Sequence, residues 1–238
     1  MRRETQNILL VLLGGALLKI SFTGTYLRYV KPSHLWLLIA GGTVMILLAA
    51  VSIIREIRGA RDVDGHGHAH SARSAWLLVL PVLAVFLVGP PSLGSDSVAR
   101  AEGNAPAVPS TEGEGSALFP ALPAGDPIAL PLSEFSSRAA WDKGHSLDNR
   151  ETRLIGFVVQ EGGDTYVARL AIACCAADAF PVKIKLLGKE LSNLPDDSWI
   201  EVDVTLRPGS ATRANEYVPA VTTHTVRRIA QPEDPYEH

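Results

Sequence analysis

The chain's only two cysteines are adjacent, Cys174 and Cys175, and an aspartate, Asp178, follows three residues after the second. Two thiolates and a carboxylate this close along a chain can hold a soft or borderline metal, zinc or copper, with His145 or His224 able to complete the set. The pair could equally be a redox-active dithiol, which requires an accessible thiolate of low pKa, or one cysteine could serve as a small apolar core residue. There is no C-x-x-C and no second cysteine pair, so the spacing alone does not select among these. Neighbours in a strand point to opposite faces, so at most one of the two sulfurs is expected to face a core unless the strand ends there.

A second donor cluster, DGHGHAH at residues 64–70, sets His66, His68 and His70 at alternating positions beside Asp62 and Asp64. Imidazole nitrogens in such a tract can bind Zn2+, Ni2+ or Cu2+, and the glycines between them let the backbone converge. The alternative is a solvated low-complexity loop. Lys19 is the third residue of interest, the one interior charge of the first apolar run. A cation inside a bilayer normally faces a partner or a polar cavity, or it snorkels to the interface. The other apolar runs hold no Asp or Glu, so a carboxylate partner for Lys19 would come from another protein. No phosphate-binding glycine loop, G-x-S-x-G or H-E-x-x-H occurs, and the protein is expected to be non-enzymatic.

The elements that must position these residues fall into two halves. Apolar runs at residues 8–29 and 35–54 are each about the length that crosses a bilayer. A third, at 76–88, is long enough only if the residues from 74 to 93 contribute. The expectation is an α-helical membrane domain over residues 1–93, with spans at about 8–30, 34–54 and 74–93 and the histidine-bearing loop at 55–73. Arg2, Arg3, Arg55, Arg58, Arg61 and Arg73 lie on one side of this arrangement, against Arg28 and Lys31 on the other. That asymmetry predicts a multi-pass plasma-membrane protein with its N-terminus and histidine loop cytoplasmic and everything after the third span extracytoplasmic.

Glycine, proline, serine and alanine dominate residues 94–126, the composition of a flexible linker. Residues 127–238 read as a small all-β domain, an OB-fold-like barrel for preference. A helix is expected at 132–141, capped by Ser133. Strands are expected at 152–159, 165–175, 180–187, 198–208 and 216–229, with EGGD as the first turn. In the fourth strand Trp199, Val202, Val204 and Leu206 set the alternation and Ile200 breaks it. A net charge of −3 without a basic stripe leaves no footprint for nucleic acid.

Four features resemble a bacterial family, the smaller subunit of a two-component membrane permease complex. They are the YVKP turn after the first run, the histidine loop before a short third run, the PPSLGS exit, and RLIGFVV followed by ARLAIACCAADAFPVKI. The loop KGHSLDNRET at 143–152 departs from the family pattern. The resemblance implies a larger, multi-spanning permease as partner and marks Cys174 to Ala179 as a signature without assigning roles. The functional expectation is an accessory subunit whose extracytoplasmic β-domain docks on or gates that partner, with Lys19 at the interface. The alternative is a metal-handling membrane protein using the histidine loop and the Cys-Cys-x-x-Asp site.

Overall fold

A computed structural model of the chain describes residues 3–58, 91–101, 119–188, 191 and 193–238, together with positions 83 and 87. It divides into two compact units, Met1–Ser92 and Leu93–His238.

The first unit is a helical hairpin. Helix α1 (Arg3–Phe22) and helix α2 (Leu35–Arg58) are joined by two single 3-10 turns, Thr25–Arg28 and Pro32–His34. α1 stops because Gly24 takes a left-handed φ of 74°, a conformation cheap only for glycine. The Thr23 hydroxyl donates to the Lys19 carbonyl at 2.9 Å and satisfies part of the helix end. The two helices meet at glycine. A Cβ on Gly14 would lie 2.9 Å from the Gly42 carbonyl oxygen, and one on Gly42 would lie 3.0 Å from that of Gly14. Small residues at such a crossing let backbones approach where no water is available to drive association.

Pro32–Arg55 is 24 residues long with a mean hydropathy of 2.6, and it fits a membrane anchor. Its large side chains, among them Trp36, Leu37, Leu47 and Leu48, are exposed, the reverse of a soluble core helix. The apolar stretch of α1, Gln6–Phe22, measures about 26 Å at 1.5 Å per residue, short of the roughly 30 Å hydrocarbon core. The run expected to continue to residue 30 is therefore broken at Phe22 by the glycine turn. Lys19 consequently sits exposed in the last turn of α1 and not at mid-span, where its charge complements the helix dipole. Most of the third apolar run and the loop carrying His66, His68 and His70 lie outside the described residues.

The second unit is a mixed sheet with two helices, α3 (Ser95–Arg100) and α4 (Leu132–Trp141). Its strands are β1 (Ile128–Ala129), β2 (Glu151–Glu161), β3 (Asp164–Ala171), β4 (Phe180–Leu187), β5 (Trp199–Leu206), β6 (Ala220–Arg228) and β7 (Tyr236–Glu237). β2 pairs antiparallel with β3 and β5, β3 with β4, and β5 with β6. β4 and β6 pair in parallel through Lys185–Leu187 and Ala220–Thr222, so these five strands form a ring of pairings. The short strands β1 and β7 add in parallel to β2 and β3.

Within the ring β2 and β3 approach closely at Gly156. A side chain at Gly156 would put Cβ 2.5 Å from the Ala168 carbonyl oxygen and 2.8 Å from a Val167 methyl. Inside, Leu154, Val158, Val167, Ile184, Ile200, Val202 and Val204 pack with Leu132 and Phe135 of α4. Ile200 is thus in phase with the buried face of β5. Trp199 is the residue out of phase, turned to the opposite face and edge-on to Phe157 at 5.7 Å.

That opposite face carries a second cluster of Phe157, Val159, Ala168, Leu170, Ile172 and Tyr236, closed by Val98 of α3. Residues 94–126, expected as a linker, therefore begin with a helix seated on the sheet. Asp197 accepts from the Ser95 amide at 2.6 Å and from its hydroxyl at 2.9 Å, and the Leu93 amide donates to the Tyr236 hydroxyl at 3.1 Å.

Ser133 does not cap α4. The Glu237 carboxylate, from the far end of the chain, accepts from the amides of Leu132 (2.7 Å) and Ser133 (2.8 Å). Arg169 donates to the carbonyls of Asp234, Pro235 and Tyr236 and holds that end in place.

Two substitutions test this construction by thermal unfolding of the full chain in detergent. Glu237→Ala is expected to cost about 1–2 kcal/mol, the loss of a helix cap, and to lower the melting temperature. Gly156→Ala is expected to cost about 1–3 kcal/mol through overpacking against backbone, although alanine has the better strand propensity. A neutral Gly156→Ala would show that the close β2–β3 approach is not a constraint.

Candidate functional site

The Cys-Cys-x-x-Asp segment leaves the sheet at the end of β3. Ala171 is the last residue of β3 and pairs with Phe180 of β4, so residues 172–179 connect two hydrogen-bonded partners. The strand expected to run to Cys175 ends four residues earlier, because the Ile172 amide turns to the Glu237 carbonyl at 2.9 Å. A bend at Ala173 and Cys174 follows, and then a single 3-10 turn, Ala176–Asp178.

Asp178 closes this turn. One carboxylate oxygen accepts from the Ala173 amide at 3.0 Å, and the other accepts from Cys174 at 2.9 Å and Cys175 at 3.4 Å. Ala176 and Ala179 pack against the cluster of Phe157, Trp199 and Tyr236. Larger side chains at these two positions would lift the turn off the sheet.

The bend removes the strand alternation, so the two sulfurs are not on opposite faces. They lie 3.7 Å apart, with Cys174 donating to Cys175. Neither is in a core: Cys174 is exposed and Cys175 half-exposed. The two sulfurs and an Asp178 oxygen all lie within 4.8 Å of one another. The Asp178 carboxylate beside Cys174, together with the second thiol, pushes the Cys174 pKa up to about 12. The neighbouring Cys174 thiol, helped by the three amides, holds the Asp178 carboxyl below its usual range. A redox dithiol needs a thiolate stabilised at neutral pH, and Cys174 is shifted in the opposite direction.

The histidines considered as further ligands stand elsewhere. His145 follows α4 and faces Asp148 at 3.7 Å. His224, on β6, shares a 2.8 Å hydrogen bond with Thr205. Among the described residues the grouping is Cys174, Cys175 and Asp178. Lys19 belongs to the first unit.

The residues that sequence reasoning does not reach are Glu237, Asp197 and Arg169. Their contacts span 105, 102 and up to 67 positions, and no local pattern announces them. The one available signal was a doubly charged, aromatic-bearing C-terminus after a proline, which is weak.

Residues 5–104 match the DUF1980 N-terminal domain and residues 143–238 match the DUF1980 C-terminal domain. No curated protein and no solved structure matches the chain.

Replacing Asp178 with asparagine removes the charge that retains the Cys174 proton. In a Cys175→Ser background, alkylation of Cys174 by iodoacetamide at pH 9 is expected to rise by at least about tenfold on Asp178→Asn, as the thiol returns toward the ordinary cysteine range. Equal rates would show that the carboxylate does not control the thiol.

Proposed function

We propose that this chain, whose two matched domains are consistent with the DUF1980 family, is a non-enzymatic accessory subunit of a two-component membrane permease. In this reading the helices anchor it in the plasma membrane and the β-domain docks on or gates a multi-spanning partner. The observation that carries the reading is the α1–α2 hairpin. Its inner faces are joined at Gly14 and Gly42, while its outer apolar side chains are exposed and available to lipid or to a partner's helices. Lys19, at the end of α1, is placed where it could meet a partner's polar group near the membrane surface.

The finer topology rests on the arginine asymmetry: three spans, the N-terminus cytoplasmic and the β-domain extracytoplasmic. The ring of pairings among β2, β3, β4, β6 and β5 supports reading the domain as an OB-type barrel. A second reading, metal handling, is favoured by the grouping of Cys174, Cys175 and Asp178. The histidine cluster that it also invokes lies outside the described residues.

Affinity purification of the full chain from mild detergent tests the subunit reading. A multi-spanning membrane protein is expected in about equal amount, and Lys19→Leu is expected to reduce its recovery severalfold. Recovery of the chain alone, under conditions that keep other membrane complexes whole, would overturn the assignment.

A further inference from the structure

The spacing of the two sulfurs at the Cys174 corner suits a tetrahedral ion better than a linear one. Two sulfurs bound to one tetrahedral Zn2+ with bonds of about 2.3 Å lie about 3.8 Å apart. A two-coordinate, linear ion such as Cu+ would hold them roughly twice a metal–sulfur bond apart, about 4.6 Å on the same bond length. The observed separation is 3.7 Å. The third donor is a carboxylate oxygen, a ligand that suits zinc and not soft Cu+. It lies within 4.8 Å of the sulfurs, so a small side-chain adjustment brings it to bonding distance.

We propose that Cys174, Cys175 and Asp178 form an open, three-ligand site for Zn2+, with the fourth tetrahedral position left to water or to a ligand from outside the chain. This deepens the metal-handling reading and rests on it.

Two features indicate exchange and not a structural role. Structural zinc sites close with four protein ligands, whereas sites with three keep a position for chemistry or transfer. The turn also needs no metal to form, since amides of Ala173, Cys174 and Cys175 already hold the Asp178 carboxylate and Ala176 and Ala179 seat it on the sheet. Those amides take the part of outer hydrogen bonds that aim a ligand at its metal. On binding, the two thiol protons leave to solvent and both sulfurs coordinate as thiolates.

The test uses the full chain in detergent, stripped of metal and kept reduced, titrated with Co2+ as the optical stand-in for Zn2+. One equivalent of Co2+ is expected to produce a thiolate-to-cobalt charge-transfer band with the strong visible absorption of a tetrahedral ion, and Zn2+ should abolish both. Cys174→Ser and Cys175→Ser should each weaken binding by at least about tenfold, while joint replacement of His66, His68 and His70 by alanine should leave the band in place. The metal-free chain should already unfold in one cooperative transition, which a structural site would not allow.

Absence of the charge-transfer band overturns the site. A cysteine pair that binds Cu+ and is not displaced by excess Zn2+ overturns the zinc assignment while leaving metal handling standing. Failure to bind Co2+, Zn2+ or Cu+ anywhere on the chain removes both. None of these results bears on the permease partner, which is read by co-purification.

Discussion

The last strand of the chain, two residues long, joins elements that the rest of the domain leaves separate. Through its backbone β7 extends β3 and takes the Ile172 amide. Through Glu237 it caps α4, and through the Tyr236 hydroxyl it receives the chain before α3. Arg169 binds three successive carbonyls leading into it. A buried carboxylate or guanidinium is tolerated only when hydrogen bonds replace its water, and here each charge does so by ordering a different stretch of backbone. Two apolar clusters, one inside the ring and one outside it, are thereby locked to the same two residues.

The candidate site inherits its shape from this arrangement. Because the pairing of β3 with β4 ends at Ala171 and Phe180, the next residues are free to bend, and the bend turns neighbouring cysteines to one side. The Asp178 carboxylate then draws three amides and a thiol around itself. Its charge is stabilised and the thiol's ionisation is opposed. In this state the corner holds a protonated Cys174 thiol beside a fixed anion, an arrangement ill suited to nucleophilic attack by that sulfur.

The first unit obeys different physics. Its two described helices approach each other through the glycines Gly14 and Gly42. Outside that seam the side chains are large, apolar and exposed. An apolar surface of this kind fits a membrane anchor.

Much of this was legible in the residues alone. Period-two alternation located five strands within a few residues, and helical spacing located α4 at Leu132–Trp141, because these patterns are local consequences of burying one face. The length and hydropathy of α2 followed from composition. The close spacing of Cys174, Cys175 and Asp178 marked them as donors.

What only the tertiary structure decided depends on contacts between distant positions. The cap of α4 comes from Glu237 and not from Ser133. The start of residues 94–126 is seated by Asp197 and Tyr236. Each is a hydrogen bond between groups far apart in sequence, whose partners local propensity cannot identify, since it is the closing of the ring that brings them together.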